Sequence, residues 1–134
     1  LTLKENPALL ERFRDRGIAL EMCPSSNLQI AGFKDNLLPN TNGERVYPLR
    51  ECLEAGLRVT VNTDNPGISR ADPARELRRA ARLTREGLNC WDICGIIRNG
   101  FKNAFAERNV RASLIRVAEK ELIDLLTGSS AFEF

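Results

Sequence analysis

The chain has 134 residues, 43% hydrophobic and 28% charged, with a net charge of +2. That length fits one domain with a modest core, the balance is ordinary for a globular protein, and the charge is too weak by itself to argue for nucleic acid. No apolar run approaches the roughly 20 residues that span a bilayer, which argues against a membrane protein, and no basic stretch leads into an apolar one as in a secretory leader.

Four cysteines, Cys23, Cys52, Cys90 and Cys94, lack the spacing of a secreted disulfide framework or of a four-cysteine zinc site. They read as free thiols of a reducing compartment, so a cytoplasmic location is expected. There is no histidine, so a cysteine nucleophile would lack its usual base. A first residue of leucine rather than methionine suggests a processed product or a fragment.

In chain order, Asn6-Pro7 reads as a helix cap followed by proline at the first helical position, and Leu9, Leu10 and Phe13 follow at helical spacing. Gly17 closes that helix after Arg14 and Arg16. Residues 18–23 form a short apolar strand with one charge, Glu21, and Pro24-Ser25-Ser26-Asn27 predicts a turn. Residues 28–46 are long and irregular, a length found in functional loops and in plain excursions alike. Pro48 opens a short helix with Leu49, Cys52 and Leu53 on one face, ended by Ala55-Gly56.

Residues 57–62 then make a strand whose apolar Leu57, Val59 and Val61 fit burial on both faces. After Asn65-Pro66-Gly67, a loop leads to the cap Asp72-Pro73, and the next helix is expected to run to about Glu86 with Leu77, Ala80, Ala81 and Leu83 buried. Asn89 caps a further helix bearing Trp91, Ile93, Ile96, Ile97, Phe101 and Phe105. A last helix opens near Asn109, carries Val110, Leu114, Val117, Ala118, Leu122 and Leu125, and stops at Gly128 ahead of a tail, 129–134.

Alternating strands and helices argue for an α/β fold with a parallel sheet. Only two strands are convincing, and two parallel strands leave too many faces and edges uncovered for a stable core. The sheet is therefore expected to be completed by strands from outside these residues.

The segment Val59-Thr60-Val61-Asn62-Thr63-Asp64-Asn65-Pro66 delivers a carboxylate to the end of a buried strand. From the residues alone, Asp64 is either a turn aspartate capping the next segment or an acid at the mouth of a sheet. Arg75, Arg79 and Arg82 share a helix face with Arg78 and Arg85 beside them, which would suit phosphate or RNA. The plainer reading is a solvated face paired with Asp72, Glu76 and Glu86, since no aromatic residues interleave to stack bases.

Glu21-Met22-Cys23-Pro24-Ser25-Ser26-Asn27 resembles the strand-seven motif of the adenosine and AMP deaminase family. Pro48-Leu49 and residues 56–64, ending Asn62-Thr63-Asp64, resemble the helix and last strand that follow it, and Arg98-Asn99 with Phe101 and Phe105 is similar to the family's C-terminal element. The resemblance runs from about Leu9 to Leu126.

It implies a (β/α)8 barrel, which typically needs about 250 residues. This chain would supply the last two strands in residues 1–86 and the C-terminal helices in 87–134. The family's histidines and catalytic glutamate would lie in a missing N-terminal part, which is then a required partner; a homo-oligomer is left open. The implied activity is zinc-dependent hydrolytic deamination of adenosine, AMP or another adenosine phosphate. Zinc brings its bound water to a pKa of about 7.

Asp64 matches the family's strand-eight residue, at once metal ligand and catalytic proton acceptor. Asn65 stands where an aspartate commonly contacts purine N7, and an amide can donate there directly. Tyr47 replaces a histidine at a position read as structural, and Cys23 with Ser25 to Asn27 reads as scaffolding. A chain with these ligands missing is expected to be inactive alone. The alternatives are a non-catalytic regulatory or binding module derived from the same barrel and, more remotely, a small helical nucleic-acid-binding domain.

Overall fold

Helix α1 spans Pro7–Arg16 in the computed structural model, which describes residues 6–31, 33, 46–69 and 72–128. It begins as its sequence dictates: Asn6 Oδ1 accepts the Leu9 N–H at 3.0 Å, satisfying a backbone donor that the first turn leaves free. It ends at Gly17, which takes the left-handed conformation with φ 61°. Gly17 is also crowded, because an added Cβ would fall 2.5 Å from Arg58 Cζ, while Arg58 Nη1 donates to the Gly17 carbonyl at 3.2 Å. Glycine therefore serves the turn, while the close neighbour is the movable end of the Arg58 side chain rather than the strand itself.

Strand β1 (Ala19–Met22) and strand β2 (Arg58–Val61) form a two-stranded parallel sheet, in the register Ala19 to Arg58 through Met22 to Val61. The Asn62 N–H donates to the Met22 carbonyl at 2.9 Å and carries the pairing one residue past β2. Backbone groups of alternate residues face opposite sides of a strand, so Thr60 and Asn62 face β1 and Val59 faces away. The outward Val59 carbonyl accepts Asn99 Nδ2 at 3.1 Å. One side chain thus supplies the donor that a further strand would otherwise give.

The expected turn at Pro24–Asn27 is instead the start of helix α2 (Pro24–Ala31). The reason is local: proline at the first helical position loses no hydrogen bond, and the Asn27 N–H reaches the Cys23 carbonyl at 2.8 Å. The crossover back to β2 includes Phe33 and helix α3 (Leu49–Glu54); residues 34–45 of the irregular connection lie outside the described residues, as do the expected tail residues 129–134.

After β2 come the short helix α4 (Pro66–Ser69) and helix α5 (Pro73–Leu83), the latter capped by Asp72 Oδ1 on the Arg75 N–H at 2.9 Å. Helix α5 stops at Leu83 rather than near Glu86. Thr84 turns extended there, bridges to Tyr47 and donates its hydroxyl to the Ala80 carbonyl at 2.6 Å. Helix α6 (Cys90–Asn103) opens with a reciprocal cap between Asn89 and Asp92, and helix α7 (Arg108–Leu126) follows it.

The core gathers Met22, Phe33, Tyr47, Leu49, Leu57, Val59, Ala80, Leu83 and Ile96. Phe33 and Tyr47 meet edge to face at 5.1 Å between ring centres. Helix α6 lies on β2, and α7 lies on α6. The four cysteines form no disulfide among the described residues, with Cys90 exposed and the others partly buried. Trp91 is 72% exposed beside a groove of about 600 Å³ between α6 and α7, whose walls include Phe101, Ile115, Leu122 and Leu125. No described helix is long and apolar enough to cross a membrane.

Candidate functional site at the strand ends

Parallel pairing puts the C-terminal ends of both strands on one side of the molecule. In open α/β sheets that is where ligands bind. From β1 emerge Cys23, Pro24 and Ser25; from β2 emerge Asn62, Thr63, Asp64 and Asn65.

Asp64 is exposed and has φ 58°. A non-glycine residue in the left-handed region is uncommon, although aspartate tolerates it better than most. Asn65 is exposed too, and its Oδ1 lies 3.4 Å from where a Cβ on Gly67 would stand, against the first turn of α4. In this arrangement the amide sits over the backbone of its own turn.

Cys23 is half-buried, and its N–H donates to Asn27 Oδ1 at 3.2 Å. Burial first, then the charges of Asp64, Glu21 and Glu76, push the Cys23 thiol up, against an opposing hydrogen bond from the Asp64 backbone. The raised pKa keeps the thiol, rather than the nucleophilic thiolate, the dominant form at neutral pH. Asn27 Oδ1 also accepts the Tyr47 hydroxyl at 3.1 Å. Burial, with Cys23, Glu76 and Cys52 nearby, raises the Tyr47 phenol above its ordinary range, so it remains a neutral donor. Tyr47 and Asn27 are thus tied to each other and, through the Cys23 N–H, to the end of β1.

The sequence reading missed Glu76. It was expected on the solvated arginine face and instead is 1% exposed. Its Oε2 accepts the Ser25 N–H at 2.9 Å, its Oε1 accepts the Ser25 hydroxyl, and Arg79 Nη1 donates to that hydroxyl oxygen at 2.7 Å. Arg75 does keep its expected surface pairing, to Asp72 at 3.3 Å. One signal could have found Glu76: it shares a helix face with Ala80 and Leu83, so a carboxylate falls in an apolar stripe.

For a metal ion the donor set is partial. The chain has no histidine, and no three His, Cys, Asp or Glu residues come together among the described residues. A carboxylate such as that of Asp64 is a suitable oxygen ligand in kind, but the described residues do not make a complete zinc site, which typically takes three or four protein ligands.

Parallel strands, covering helices and polar side chains gathered at the strand ends define an α/β protein. Residues 1–120 match the family model described as adenosine deaminase. The chain is 32% identical over 111 residues to an adenine deaminase of Rhizobium leguminosarum bv. trifolii, covering 83% of this chain and 31% of the relative. It is 32% identical over 109 residues to an adenosine deaminase of Shewanella denitrificans, covering 81% and 30%.

Its fold superposes on a crystal structure of an amidohydrolase from Burkholderia ambifaria with bound Zn, with a TM-score of 0.69, 25% identity, and coverage of 96% of this chain and 33% of that one. The chain belongs to the adenosine deaminase family. It spans about a third of the length of these relatives.

Proposed function

We propose that residues 1–86 are the last βα units, and residues 87–134 the C-terminal helices, of a (β/α)8 barrel that hydrolytically deaminates an adenine-containing substrate with zinc. The observation that carries this reading is Asp64, an exposed carboxylate at the open end of β2 in a chain of this family. Two features support a larger barrel: a sheet of only two described strands, and an apolar groove along α6 and α7. The remaining metal ligands then come from outside these residues, and the chain by itself is inactive.

When bound, zinc supplies a water acidic enough to attack an aromatic carbon at neutral pH. Asp64 would be one ligand of that metal, and its carboxylate could accept a proton from the bound water. Asn65, once its amide leaves the α4 turn, donates Nδ2–H to a ring nitrogen of the purine.

Adenosine or an adenosine phosphate is the substrate class we favour, with free adenine the competitor because relatives of both names match. The test is ammonia release from adenosine, AMP and adenine by the intact protein and its Asp64→Ala variant, with zinc measured in both. The variant is expected to lose zinc and activity together. Unchanged deamination would remove Asp64 from the chemistry, and an intact protein with no zinc and no deamination would favour a non-catalytic module.

A further inference from the structure

We propose that Glu76 is a positioning residue for Asp64, acting through Ser25 and the exit of β1; this role rests on the metal reading above.

Burying a carboxylate is costly unless each oxygen is paired. Glu76 meets that condition with a single residue, Ser25, whose N–H and hydroxyl occupy its two oxygens. Arg79 Nη1 on the same hydroxyl oxygen supplies positive charge and uses the acceptor that the hydroxyl still offers. Ser25 is thus fixed from three directions, and bonds to a charged partner are stronger than neutral ones.

What this fixes is the strand mouth. Ser25 follows Cys23 and Pro24; Pro24 is buried and its ring removes backbone freedom. Ahead of Cys23, Met22 pairs with Val61, and its carbonyl holds the Asn62 N–H at 2.9 Å. Asp64 is two residues beyond Asn62. From Glu76 to Asp64 the path therefore runs through one hydrogen-bonded clamp, the Cys23–Ser25 tripeptide, one strand-pair bond and the two backbone steps from Asn62 to Asp64. Asn27 secures the same segment by accepting the Cys23 N–H.

Few flexible links separate the buried acid from the exposed one. A carboxylate exposed on a left-handed turn needs such support, since nothing in its own backbone conformation is intrinsically preferred. Supporting groups behind a metal ligand typically change metal affinity about 10- to 100-fold when removed.

The experiment uses the intact protein and two variants, Glu76→Gln and Ser25→Ala, with Asp64→Ala alongside. Zinc dissociation constants are measured by chelator competition, and amide hydrogen exchange is followed at residues 20–27 and 59–64 against residues of α7. Both variants are expected to weaken zinc binding about tenfold and to speed exchange at the strand ends while α7 is unchanged. Should Glu76→Gln not fold, Ser25→Ala decides, because it keeps the Ser25 N–H bond and removes only a hydroxyl.

Zinc affinity and strand-end exchange both unchanged in Ser25→Ala, with zinc lost in Asp64→Ala, would overturn the positioning role alone. Unchanged zinc in Asp64→Ala would remove the metal reading and this role together. Faster exchange everywhere with zinc affinity preserved would make Glu76 a stabilising residue only and would equally overturn the proposal.

Discussion

Asp64 separates backbone cost from chemistry, because the same residue carries a strained φ of 58° and the proposed ligand. The perturbation is a series, Asp64→Asn, Asp64→Gly and Asp64→Val, in the intact protein stripped of metal by a chelator. Stripping matters because a bound ion adds its own stabilisation. Asparagine tolerates the left-handed region much as aspartate does, so its expected stability change is near zero.

Glycine relieves roughly 1 kcal/mol of left-handed strain but gives about 0.4–1 kcal/mol back through a freer unfolded chain. The net expectation for glycine is within about 0.5 kcal/mol of the parent. Valine brings a β-branched side chain to this conformation and is expected to cost about 1–2 kcal/mol. Asp64 is exposed, so lost burial contributes little in any of the three.

The assay is urea unfolding, read as a shift in midpoint at constant slope, with zinc content measured separately before stripping. Stability is expected to rank asparagine and glycine together, with valine below, while zinc falls in all three. Valine as stable as asparagine would mean that the turn at residue 64 carries no backbone strain, and the argument from its conformation would fail.

Three further outcomes follow from the scaffold. Asn99→Ala leaves the Val59 carbonyl without its side-chain donor and is expected to cost about 1–3 kcal/mol; Asn99→Asp, which sets a carboxylate against a carbonyl, should cost more, and urea midpoints read both. Leu49, fully buried in the core, should lose about 2–5 kcal/mol on Leu49→Ala in the same assay.

Asp92 titrates in a predictable direction. Burial opposes its charge, but hydrogen bonds from Asn89 and Arg50 and the Arg50 charge outweigh burial and hold its carboxyl below the usual range. A depressed folded pKa contributes stability that is complete above the unfolded value of about 3.9 and is lost as pH falls through the folded value. The stability of Asp92→Asn should therefore lie below the parent's above about pH 4 and converge on it as pH falls through the folded pKa of Asp92, and identical stability at pH 7 would refute it.

Local signals in the sequence were reliable because their physics is local. Asn6, Asp72 and Asn89 each satisfy a donor three residues on, within one helical turn, and Gly17 adopts the left-handed conformation its place demands. Both parallel strands were legible for the same reason, from short β-branched or apolar runs ended by polar residues.

What escaped depends on contacts across the chain. Glu76 finds Ser25 from 51 residues away, and that partner alone turns a surface acid into a buried one. Thr84 ends α5 because Tyr47 offers it a bridge, which no reading of residues 73–87 could supply. Pro24 was misread because proline marks turns and helix starts alike, and its neighbours in space decided between them. Of the candidate site, the placement of Asp64 at the strand end was legible, whereas Asn65 folding onto the turn beside Gly67 was not.

A strained residue is an argument from structure toward function, never the reverse. At position 64 glycine would fit the backbone with less strain, and a cap would be equally well made by asparagine. The chain instead places a full negative charge there, beside a thiol held protonated and two residues past the last bond between the strands. That choice gains nothing for folding, since the side chain is exposed. It becomes useful once a cation stands at the sheet mouth, and no three His, Cys, Asp or Glu residues come together among the described residues to hold one. The geometry of one turn and the composition of the whole chain therefore both support the proposal that the carboxylate belongs to a site that other residues complete.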